Sequence, residues 1–192
     1  MRCCEGIMNA LAALLHPGAL LHPMRQYEQA AAQILEALAH DRLWNPSAMI
    51  SLEDGARQLY LAAESVLAGV HHADGAACRH AVMETAVAGM RLAAERPDPL
   101  RTDIEQAYRV AAANAWADLV GEQESHPLTW SSAETAAQDL ITRARCAVCA
   151  AEHADSLGVE AAASLTAAAC IRYLAEVPVS LIATSSRRSR AA

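Results

Sequence analysis

The 192-residue chain contains no phenylalanine and no lysine, and aromatic residues make up only 4% of it. With so few large rings, a core built on aromatic stacking is excluded. Small and branched aliphatic side chains must fill the interior instead. Because lysine is absent, all fifteen basic residues are arginine, and the net charge is -7. No basic stripe interleaved with aromatics occurs, so no nucleic-acid partner is expected. Long apolar runs are also missing: none reaches the ~18 residues of a membrane span, so no membrane association is expected. Residues 7–15 are apolar behind Arg2, but Glu5 interrupts the start and no small-residue cleavage pattern follows. The expected location is the cytoplasm, where the six cysteines would be reduced at rest.

What is abundant is alanine, the strongest helix former, in a chain that is 54% hydrophobic. No alternating strand pattern appears. The expectation is a single all-α domain over residues 1–183, long enough for a sizeable core. A short helix is predicted over 5–15, ended by His16-Pro17-Gly18. A second spans 24–43, with Tyr27, Ala31, Ile34, Leu35 and Leu38 on one stripe. Ser51 caps a third, with Asp54 in its first turn and an end near Gly69. A fourth covers 76–95 and stops at Arg96-Pro97-Asp98-Pro99. Thr102-Asp103-Ile104-Glu105 reads as a capping box opening a helix over 103–120. Residues 121–130 read as a polar connector. Ser131-Ser132-Ala133-Glu134 opens a further helix, which Gly158 is expected to break, and 160–177 forms the last. Residues 184–192, with Arg187, Arg188 and Arg190, read as a disordered basic tail. No internal repeat stands out.

Chemistry concentrates in residues 144–157, which hold Cys146, Cys149 and His153. A C-x-x-C pair in a chain with little sign of secretion reads as redox chemistry. One thiolate attacks an oxidant and the other closes a disulfide. On a helix His153 stands one turn beyond Cys149, placed to hold a proton. Arg143 and Arg145 would favour a thiolate if they faced the sulfurs.

With Glu134 twelve residues before Cys146, these positions resemble the motif of the alkylhydroperoxidase D-like family, within the carboxymuconolactone decarboxylase superfamily. In that motif a glutamate and eleven spacers precede C-x-x-C-x-x-x-H. The match covers roughly the last third of the chain. The resemblance implies a bundle of about seven to eight helices built from two related halves, and assembly as a homo-oligomer (trimers or larger). It also implies a thiol-dependent peroxide reductase without a cofactor. Cys149 would attack the peroxide, Cys146 would resolve the sulfenic acid, and Glu134 and His153 would relay protons. A dihydrolipoamide or thioredoxin-like dithiol would be the reductant. Geometry sets a condition on Glu134. Twelve residues of unbroken helix span ~18 Å, so it reaches the thiols only if the chain folds back. Otherwise it serves as the capping partner of Ser131.

Two other readings remain open. Val148 stands where family peroxidases often carry a histidine, which suits a non-catalytic helical relative acting as an interaction protein. Alternatively Cys146, Cys149 and His153 hold a metal, with His71, His72, Cys78 or His80 completing the site. The histidines around Asp74 also read simply as a polar helix–helix turn, and Cys78 and Cys170 as core.

Overall fold

The computed structural model describes residues 23–46, 51–96, 103–125, 130–178 and 182. They form six helices: α1 (Pro23–Trp44), α2 (Leu52–His71), α3 (Gly75–Glu95), α4 (Ile104–Ser125), α5 (Ala133–Glu152) and α6 (Ser156–Glu176). The described chain is all-helical, with six helices rather than the seven to eight expected. The predicted helix over 5–15 and the basic tail lie outside the described residues.

Capping side chains fix the starts. Ser51 Oγ accepts from Asp54 N at 3.1 Å and donates to the Asp54 carboxylate at 3.0 Å, an N-cap that opens α2. Ser132 Oγ accepts from Thr135 N at 3.0 Å and opens α5, so the cap belongs to Ser132 and not to a Ser131–Glu134 pair. The Asp103 carboxylate takes the amides of Glu105 and Gln106. The connector expected from residue 121 starts later, because α4 runs through Gly121 to Ser125.

The two tight hairpins, α2–α3 and α5–α6, are built alike. After α2, Ala73 N bonds Val70 O and Asp74 N bonds Gly69 O. After α5, Ala154 N bonds Ala151 O and Asp155 N bonds Ala150 O. Both are Schellman closures, and both place an alanine at the left-handed position, Ala73 at φ 55° and Ala154 at φ 53°. The chain therefore reverses at Ala154, and Gly158 sits in the first turn of α6 instead of breaking α5. Each following aspartate caps the next helix: Asp74 takes the amides of Ala76 and Ala77, and Asp155 that of Gly158.

These matches extend through the described chain at a constant offset of 81 residues. Ser51 corresponds to Ser132, Leu59 to Leu140, His72-Ala73-Asp74 to His153-Ala154-Asp155, Arg91 to Arg172, and Glu95 to Glu176. Tyr27 on α1 corresponds to Tyr108 on α4. Buried Thr85 and Thr166 both return their hydroxyls to a carbonyl four residues back, at 2.7 Å. The molecule is thus a tandem repeat of one three-helix unit, α1–α3 and α4–α6, which corrects the reading that no repeat is present. Helix contacts are reciprocal: α2 packs on α5 and α3 on α6, while α1 reaches α6 and α4 reaches α3. That exchange is the mark of a pseudo-twofold arrangement.

The halves interlock through two carboxylates. Tyr27 donates its hydroxyl to Glu176 Oε1 at 2.6 Å, and Arg172 Nε donates to the same oxygen at 2.9 Å. In the mirror arrangement Tyr108 donates to Glu95, which Arg91 grips with two N–H groups at 2.8 and 3.1 Å. Around these links the interior is alanine, valine, leucine and isoleucine. Helix α6 touches every other helix and is buried on almost all faces. Among the described residues it is also the one helix long and apolar enough to cross a membrane, but here that apolarity faces the bundle.

Burial, then the neighbouring Glu176, pushes the Tyr27 phenol up to about 12 from its ordinary 10. The same causes raise Tyr108, with Glu95 as its neighbour. A phenol whose folded value is raised stabilises the fold while protonated. That support is whole below the ordinary phenol range and is lost as pH climbs towards 12. Urea midpoints measured at about pH 9 and about pH 11.5 should therefore fall steeply in the wild type and less in Tyr27→Phe.

Candidate functional site

Helix α5 buries Ala133, Ala136, Ala137, Leu140, Ile141, Ala144, Ala147 and Ala151 at three- and four-residue spacing against α2 and α6. The opposite face carries Cys146 and Cys149, both free thiols and both exposed. The other described cysteines are buried, as expected. Cys78 Sγ lies 3.2 Å from the Tyr173 hydroxyl, and burial pushes both the Cys78 and Cys170 thiols up.

His153 caps α5 one turn beyond Cys149. Its Nδ1 lies 2.8 Å from the Cys149 carbonyl oxygen. A carbonyl only accepts, so Nδ1 carries the proton of that bond and Nε2 of the neutral ring is the free acceptor. The structure therefore sets Cys146, Cys149 and His153 side by side on the last two turns of one helix. Glu134 is not with them. It lies on the first turn of the same unbroken helix, about 18 Å from Cys146 along the axis, and its carboxylate lies 3.6 Å from His71 Nε2. The fold-back that direct proton exchange requires does not occur.

The electrostatics near the thiols come from elsewhere than expected. Arg143 turns away to Glu122 and to Asp139, the latter at 3.0 Å. Arg145 lies over the Tyr60 ring, 5.8 Å from its centroid, and donates to its hydroxyl at 3.3 Å. Cys149 stands near the helix C-terminus, the negative end of the dipole, which does not favour an anion. A second constraint is geometric. Positions i and i+3 of a helix hold their Cβ atoms about 5–6 Å apart, whereas a disulfide needs about 3.5–4.5 Å. Closing the pair demands that the final turn of α5 give way.

The second cluster resolves into hairpin parts. Asp74 caps α3, His71 faces Glu134, and His80 pairs with Glu84 at 3.2 Å. No group of three metal-binding side chains occurs among the described residues. No protein-family model, curated protein or solved structure matches this chain.

The repeat gives an internal comparison. The first half has a glutamate at the Glu134 position (Glu53) and a histidine at the His153 position (His72). Its counterparts of Cys146 and Cys149 are Ser65 and Ala68. In the first half that histidine caps a hairpin turn and that glutamate sits in the first turn of a capped helix. Two of the four motif positions thus recur where no thiol chemistry is available, and the cysteine pair is what the second half adds.

Reading the residues one motif at a time missed the repeat, and with it two related cavities of 1110 and 500 Å³, neither lined by Cys146 or Cys149. The signal was the shared His-Ala-Asp triplet.

Ala154 adopts a left-handed conformation that costs an L-residue roughly 1–2 kcal/mol. Ala154→Gly should stabilise the protein by about 1 kcal/mol in chemical denaturation, offset partly by the greater entropy of the unfolded chain.

Proposed function

We propose that the protein is a thiol-dependent peroxide reductase working through a Cys146–Cys149 dithiol/disulfide cycle. The observation that carries this reading is the placement of two free, exposed thiols three residues apart on one ordered helix, while the other described cysteines are buried. Cys149 thiolate attacks the terminal oxygen of a hydroperoxide, forming a sulfenic acid and releasing the alcohol. Cys146 then displaces water to form the disulfide, so two thiols are oxidised as one peroxide is reduced. A lipoamide- or thioredoxin-like dithiol returns the pair to its reduced state. His153, through Nε2, moves the protons of the cycle. The protein works as a homo-oligomer, as the family resemblance implies, in the cytoplasm, where its thiols rest reduced.

A second reading is a non-catalytic helical relative that serves as an interaction protein. It draws support from the recurrence of Glu53 and His72 in the half without cysteines, and from the distance of Glu134.

Thiol counting before and after one equivalent of an organic hydroperoxide separates the two. The reductase reading expects rapid loss of two thiols in the wild type and no disulfide in Cys149→Ser. Thiols that stay unreacted favour the interaction protein. Within the reductase reading, Glu134→Gln should leave the rate within about twofold, whereas a working general base contributes roughly a hundredfold or more.

A further inference from the structure

The two halves build the same cavity and fill it differently. In the second half, the 500 Å³ cavity lies between α4 and α5 over α6 and is lined by Glu122, Leu165, Arg172 and Arg143 among others. Arg143 projects its guanidinium there. It donates to Glu122, to Asp139 at 3.0 Å, and to the Leu165 carbonyl at 3.5 Å.

Every described residue lining this cavity has its counterpart, 81 positions earlier, in the lining of the larger one. That cavity lies between α1 and α2 over α3, and its volume is 1110 Å³. The wall that holds the guanidinium is kept in part: Asp41 stands for Glu122, the amide of Gln58 replaces the Asp139 carboxylate, and Glu84 stands for Leu165. The arginine is not kept, because its counterpart is Ala62. The first-half cavity thus lacks the arginine that occupies its second-half counterpart, and it extends further along α2 and α3, to Gln58, His80 and Met83.

Charge agrees with the vacancy. Four carboxylates line the larger cavity, from Glu36, Asp41, Glu84 and Glu95, beside Arg91, His40 and His80; Glu84 lies 3.2 Å from His80, and Glu95 is held by Arg91 and Tyr108. Arg91 reaches Asp41 at 2.7 Å, and Asn45 donates to the other Asp41 oxygen at 2.8 Å. A carboxylate offers about four lone-pair sites, so this one retains acceptor capacity for a ligand. Trp44 replaces Ser125 at the cavity edge and supplies an aromatic face, which a guanidinium stacks on well.

We propose that the first-half cavity is a binding site for a small guanidinium compound, whose head group takes the place that Arg143 fills in the second half. Asp41 and Gln58 receive its N–H donors, and Trp44 covers its flat face. The site is independent of the thiol chemistry on α5.

Isothermal titration of the full chain with agmatine tests this, with N-carbamoylputrescine, which keeps the ammonium end but has an uncharged urea in place of the guanidinium, as the control ligand. Agmatine should bind once per chain and the urea should not. Ala62→Arg copies the native second half and should weaken agmatine binding at least about tenfold by self-occupancy. Asp41→Asn, which leaves the cavity open, should do likewise. Arg143→Ala opens the second cavity and should raise the stoichiometry to two. No saturable binding, equal binding of the urea, or agmatine affinity untouched by both Ala62→Arg and Asp41→Asn overturns the proposal.

Discussion

Two buried carboxylates, Glu95 and Glu176, hold the halves of this molecule in register. Each is gripped by an arginine one turn back on its own helix and by a tyrosine from the opposite half. Charge-assisted bonds of this kind contribute more than neutral ones, and losing one partner leaves an expensive buried charge. They are also directional, which an alanine-rich interior is not. Small side chains let helices approach closely but offer few shapes that distinguish one helix alignment from another. The exchanged tyrosines specify which helix meets which, and the alanines then close the space.

This interlock determines where chemistry can appear. Positions shared by the halves serve the fold: serine caps, His-Ala-Asp hairpins and the carboxylate links. Positions that differ are free to do something else. Two differences stand out physically. The second half places thiols on the outer face of α5 where the first half has Ser65 and Ala68, and it places Arg143 where the first half has Ala62. The first change adds a reactive group. The second fills one cavity and leaves its counterpart open.

Much of the fold was legible because helix boundaries here are written in side chains with local roles. Ser51 and Asp54 read as a cap and form one. The stripe of Tyr27, Ala31, Ile34, Leu35 and Leu38 is buried as its spacing predicts. The end of α5 was misplaced because Gly158 looked like the natural left-handed residue, whereas Ala154 takes that conformation under the hold of a Schellman closure. The repeat escaped because alanine matches alanine by chance in such a chain, which hides the few informative identities. The cysteine pair was legible as two thiols on one helix, while their exposure is read from the structure. The place of Glu134 was not, since a spacing along the chain does not say whether a helix continues or folds back. The cavities were invisible for the same kind of reason: their walls come from three separate helices, and spacing along the chain does not say how those helices pack.

The most direct measurement is a pair of double-mutant cycles by chemical denaturation, one on Tyr27→Phe with Glu176→Gln and the other on Tyr108→Phe with Glu95→Gln. If the exchanged links govern the fold, each cycle gives a coupling of about 1–2 kcal/mol, and the two agree in sign and size. Additivity within about 0.3 kcal/mol in either cycle would contradict the interlocked repeat.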